Sequence, residues 1–102
     1  MSAGERIDVT VSFLTEAEGG RSGPAVLTGN IYRPHFVAEH DTENMIGVIF
    51  EVGPAAAIAG REWGATAIVL FQPRDLLKIG TKFSIKEGRK TVGYGLVTGW
   101  PS

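Results

Sequence analysis

Polar and apolar residues alternate along several short stretches of the chain. In residues 7–14 (IDVTVSFL), Ile7, Val9, Val11 and Phe13 fall on one face, and Asp8, Thr10 and Ser12 on the other. That period of two predicts a strand with one face buried. Residues 45–52 behave alike, with Ile46, Val48, Phe50 and Val52 sharing a face. In residues 81–86, Phe83 and Ile85 oppose Lys82, Ser84 and Lys86. Glu87-Gly88-Arg89-Lys90 follows as a turn in which Gly88 can take positive φ. Residues 91–98 then run back as the second strand of a hairpin. Gly93 and Gly95, two residues apart on one face of it, permit a bend or a close approach of backbone.

Two further stretches depart from alternation. Residues 65–71 (ATAIVLF) are an unbroken apolar run, whose length and β-branching predict a buried strand rather than a helix. Residues 30–40 (NIYRPHFVAEH) predict a strand carrying Pro34, which has no N–H to donate and belongs at an edge or a bulge. Between these stretches lie breakers. Residues 16–29 hold four glycines and one proline and predict a long loop. Residues 41–44 form a polar turn, Gly53-Pro54 and Gln72-Pro73 end strands, and residues 75–80 form a short turn. The apolar stretch 55–59 starts at most one helical turn before Gly60. The total is about six strands and no convincing helix, the signature of an antiparallel barrel or sandwich. A closed barrel leaves no long open edge. Residues 1–6 are expected to be a flexible polar lead and residues 7–100 a single domain.

Composition narrows the class. The 102 residues suffice for one modest core, and an apolar fraction of 43% suits a folded globule. The initial methionine suggests a complete small protein. No apolar run nears the ~20 residues that span a bilayer. No basic-then-apolar leader opens the chain, so a cytoplasmic location away from membranes is expected. Cysteine is absent, which excludes disulfides and thiolate chemistry. The net charge of −1 is unevenly placed: residues 1–62 carry nine acids and four bases, residues 63–102 six bases and two acids. If Arg74, Lys78, Lys82, Lys86, Arg89 and Lys90 share one side, that side attracts phosphate; otherwise they form a solvated face.

Little in the chain points to catalysis. His35 and His40 are five residues apart, on opposite faces of a strand, and suit two surface histidines better than one metal. There is no nucleophile elbow, and no base is assigned to Ser22. Glu16 and Glu18 are expected to be solvated. The glycine-rich loop lacks the Gly-Lys-Ser/Thr ending of a nucleotide loop. No enzyme activity, cofactor or metal is expected. Tyr94, Trp63 and Trp100 offer stacking surfaces for bases, or packing for the core.

The motifs GGRSGP, YRPHF, QP and KFSIKEGRKTVGYG, in that order, resemble the third, C-terminal domain of elongation factor Tu across residues 7–100. The family's forms are close to EGGRHTP, GYRPQF, HP and RFAIREGGRTVGAG. The resemblance implies a six-stranded antiparallel closed β-barrel of the translation elongation factor type. The nucleotide-binding domain has no counterpart, so GTP hydrolysis and nucleoside triphosphate binding are not expected. In the family this barrel contacts the T-stem backbone of tRNA, meets the exchange factor and packs on the second domain. Glu87 and Gly88 match tRNA-contact positions. His35 stands for the family glutamine after Tyr-Arg-Pro, Asn44 for a threonine, Arg89 for a glycine, Lys90 for an arginine and Ile31 for a glycine. With Lys86, these residues (Glu87, Gly88, Arg89, Lys90, His35 and Asn44) form the expected contact set for RNA or a protein partner. Gly19, Gly20, Arg21, Tyr32, Arg33, Pro34, Gly93 and Gly95 form the structural motifs, with Arg21 and Arg33 bracing the barrel through buried hydrogen bonds to carbonyls. The expected function is a non-catalytic binding module for tRNA or another translation component. The alternative is a protein-interaction domain that uses the barrel as a scaffold or mimics the factor to engage its partners.

Overall fold

Strand β1 (Glu5–Phe13) buries Ile7, Val9, Val11 and Phe13 and turns Asp8, Thr10 and Ser12 outward, as its alternation dictates. The computed structural model describes residues 4–70 and 75–101. The remaining strands are β2 (His35–Ala38), β3 (Ile46–Val52), β4 (Glu62–Val69), β5 (Lys82–Glu87) and β6 (Lys90–Gly99). They pair antiparallel in the order β1-β4-β3-β2-β5-β6, and β6 returns to β1 to close a six-stranded barrel. The described residues contain no α-helix, only a 3₁₀ turn over Glu16–Glu18. None of them forms a helix able to cross a membrane.

The core is an aromatic column. Phe36 stacks on Phe83 with centroids 4.0 Å apart and meets Phe50 edge-on at 5.8 Å. Tyr32 stacks on Phe50 and leans against Phe13, carrying the column to one mouth of the barrel. Leu27 and Leu77, from two long connections, are fully buried against it. Gly95 shows why the closing ribbon carries glycines: a Cβ there would overlap the Phe83 ring, and one on Gly93 would press on the Ser12 carbonyl. The glycines therefore let β1 and the core ring approach β6.

Four expectations change. Regular pairing begins at Glu5, so the lead is shorter than residues 1–6: Arg6 already pairs with Ile68 across the ladder and holds Glu51 in a two-pronged ion pair at 2.6 and 2.9 Å. A polar strand end facing water is indistinguishable from a tail by hydropathy alone. The expected strand 30–40 is regular only over His35–Ala38. Before it, Asn30, Tyr32 and Pro34 bond β3 on one side only, Asn30 having positive φ and Pro34 serving as acceptor. The run 65–71 is not buried throughout: β4 starts at Glu62 and only Ala67 and Val69 are fully buried, because the outer barrel face is open to solvent. Phe71, Gln72, Pro73 and Arg74 lie outside the described residues, as do Met1, Ser2 and Ala3. Finally, Thr15 and Glu18 form a capping box that organises the start of the loop 16–29, ending in Gly19 with left-handed φ.

Candidate functional site

The β5–β6 hairpin turns through two residues, Gly88 and Arg89, between paired Glu87 and Lys90. Gly88 has φ of 63°, the left-handed geometry that tight hairpins require and that glycine adopts without strain. Gly88, Arg89 and Lys90 are exposed at the tip.

Glu87 continues the inward row of Phe83 and Ile85 and lands at the mouth of the barrel. Its carboxylate accepts from the Arg21 Nε–H at 2.8 Å and from the Tyr32 hydroxyl at 2.6 Å. Arg21 lies over the Tyr32 ring, 5.0 Å from its centroid, and also donates to the carbonyls of Gly23 and Pro24. Burial opposes charge on Glu87. The hydrogen bonds from Tyr32 and Arg21 and the charges of Arg21 and Lys90 outweigh it, so the carboxyl titrates below the usual glutamate range. Burial, and then the hydrogen bond to Glu87, push the Tyr32 phenol well above its ordinary range. Arg21 differs from the expected buried brace to carbonyls: its carbonyl bonds are exposed and local, and its long-range partner is the Glu87 carboxylate. The expected contact residue Glu87 is placed in this clamp. Arg33 departs from expectation: it is exposed and forms no hydrogen bond or ion pair among the described residues.

The outward row leads elsewhere. His35 pairs with Lys86 across β2 and β5, and Val37 with Ser84. Residues 39–45 leave β2 and fold back over this face. Asn44 is tied within that loop, its amide donating to Asp41 at 2.8 Å. Between the loop and the hairpin lies a groove of about 300 Å³, with Thr42 and Met45 on one wall and Lys86, Gly88 and Arg89 on the other. The structure therefore gathers Lys86, Gly88 and Arg89 at one groove, whereas Asn44, held by Asp41, and His35, paired with Lys86, do not line it. Lys90 stays with Glu87 on the other side of the tip.

The basic set does not share a single side. Lys78 lies in the connection whose Gly80 bonds Val97, remote from the tip. Lys82 lines a second groove, of about 530 Å³, on the wall formed by β1, β5 and β6. There Tyr94 is 54% and Leu96 38% exposed, with Glu39 and Glu62 nearby. Trp63 and Trp100 are committed to packing, each indole N–H donating to a backbone carbonyl. Sequence reasoning missed Met45 and Thr42. The one signal for them was that Met45 falls opposite the inward face of β3. Among the described residues, no three His, Asp or Glu side chains stand together as a metal site. No protein-family model matches the chain.

Proposed function

We propose that the barrel is a non-catalytic RNA-binding module that grips sugar-phosphate backbone with its closing hairpin. The observation that carries the reading is the grouping of half-exposed Lys86 with exposed Arg89 and Lys90 on the closing hairpin of a chain whose net charge is only −1. With so little overall charge, attraction to a polyanion depends on this local patch. The clamp supports the reading. It pairs the one acid of the hairpin with Arg21 and so leaves the neighbouring cations to face solvent. The resemblance to the elongation factor domain makes tRNA the ligand of choice, and the translation apparatus in the cytoplasm the setting.

Bulk tRNA binding, measured at several salt concentrations, tests this. Binding should weaken linearly on a log–log salt plot. Arg89→Glu with Lys90→Glu should lower affinity and reduce the slope by about one for each phosphate no longer neutralised. Absence of salt-sensitive binding by the unaltered protein refutes the reading.

A protein-docking role has one observation of its own, the exposed Tyr94 and Leu96 beside the wall groove. Exposed aromatic and aliphatic side chains over a concave wall suit a protein partner. It requires self-association or partner capture that Tyr94→Ala abolishes. A purely monomeric sedimentation profile with no protein recovered on the tagged barrel removes it.

A further inference from the structure

We infer that the groove beneath the hairpin tip receives one unpaired base of a bound RNA strand, so that the module prefers single-stranded to fully paired RNA. The inference rests on the RNA-binding reading and names the part of the RNA that is held.

The groove combines two chemistries that a nucleotide also combines. Its apolar part is Val37 and Met45. Val37 points outward from β2 yet is only 6% exposed, because the 39–45 loop shelters it, whereas Met45 is 50% exposed. An unbranched thioether lying along an open groove is a soft partner for a flat ring. Its basic part is Lys86 and Arg89 on the opposite wall, with the Gly88 backbone between them in sequence. A splayed nucleotide places its base in an apolar slot and its phosphates against flanking cations. The polar groups at the groove suit a base edge. The Ser84 hydroxyl points to the Val37 carbonyl at 3.5 Å and keeps lone pairs free, and the Thr42 hydroxyl has no hydrogen-bond partner among the described residues.

Geometry separates this from backbone contact alone. A duplex keeps its base faces stacked inside and offers the hairpin end phosphates, 2′-hydroxyls and base edges, none of which fills the apolar part formed by Met45 and Val37. The wall groove, although larger, mixes Glu39 and Glu62 with Lys82 and carries no preference for an anion. Around the smaller groove, the acids of the adjacent loop, Asp41 and Glu43, do not line it, and Asp41 is occupied by Asn44.

The test titrates the full-length barrel with a labelled mixed-sequence RNA strand, with the same strand annealed to its complement, and with a strand containing abasic sites, all at one salt concentration. The single strand should bind about tenfold more tightly than the duplex, the scale of one base stacked on a side chain. Met45→Ala should remove most of that advantage while leaving duplex affinity and the salt slope unchanged. The abasic strand should bind the unaltered protein as the intact strand binds Met45→Ala. Equal or tighter duplex binding, or a Met45→Ala variant that retains the full preference, overturns the groove assignment and leaves the backbone reading standing. Failure of all three RNAs to bind overturns both.

Discussion

The Arg21–Glu87–Tyr32 cluster is where single side chains decide most. Glu87 is reached by two donors that are 66 and 55 residues away in the chain. Replacing it by alanine strands a guanidinium and a half-buried phenol together, and should cost about 2 kcal/mol in urea unfolding, the scale of losing hydrogen bonds to a charged acceptor at a partly solvated site. Tyr32→Phe, which keeps the stack on Phe50 and leaves Glu87 with Arg21, should cost about 1 kcal/mol. The pH dependence follows from the directions of the shifts. Folding lowers the Glu87 pKa, so its contribution is complete above the ordinary value of 4.5 and is lost as pH falls through the folded value. Folding raises the Tyr32 pKa, so that contribution is whole below 10.0 and is lost as pH climbs above it. Unfolding free energies at both extremes check this: Glu87→Gln should flatten the acid limb and Tyr32→Phe the alkaline one. At this scale the sequence was half legible. The motif pointed to Arg21 bonding carbonyls but not to its long-range partner Glu87, and Arg33 makes no such bond among the described residues. Hydropathy patterning is local and carries no information about a partner more than fifty residues distant.

Strands were the most legible elements, because burying one face of a pleated ribbon forces alternation into the residues themselves. β1 and β5 follow the rule, and β3 follows it as far as Phe50, after which a register shift leaves Val52, expected on the buried face, 57% exposed. Errors arose where composition hid the pattern: a proline and a left-handed asparagine before β2, and an apolar run through β4 to Leu70 whose outward members Thr66, Ile68 and Leu70 are only half-buried while Ala67 and Val69 face the core. The hairpin β5–β6 separates two uses of glycine, which gives an experiment. Gly88→Ala meets no atom within 4 Å and bears only the strain of its positive φ, so it should cost about 1 kcal/mol. Gly95→Ala drives a methyl group into the Phe83 ring and the Thr10 carbonyl, and should cost clearly more, about 3 kcal/mol, by forcing the core and β1 apart. Thermal or urea unfolding that ranks the two in the opposite order would remove the close-approach explanation. RNA affinity offers a second readout, since Gly88 borders the groove and Gly95 does not.

For the whole molecule, strand count and alternation narrowed the fold to an antiparallel barrel or sandwich and the resemblance chose the closed barrel that is found, whereas the order of strands around it was not legible. β1 pairs with β4 and β6, which lie far along the chain, and nothing periodic in the sequence selects those partners. Closure is uneven. β1 is paired with β4 over Glu5–Ser12 and with β6 over Asp8–Phe13, whereas β2 joins β3 through only two register pairs, His35 with Gly47 and Phe36 with Ile46, continued by single bonds from residues 30–34. Local opening follows the density of such bonds, so amides of β1 should exchange with solvent only on global unfolding, and those of the β2–β3 seam much earlier. The seam is bridged by the 39–45 loop, which forms one wall of the nucleotide groove, while β5 and the hairpin tip form the other. A ligand held between the two walls must therefore tie the weakest seam to the β5–β6 ribbon. Hydrogen exchange with and without saturating single-stranded RNA should show slower exchange in residues 35–48 and 84–90, with β1 and β4 unchanged. Protection confined to the tip would mean that the strand is held by its phosphates alone, and protection on the β1–β6 wall would move the binding face to Tyr94 and Leu96.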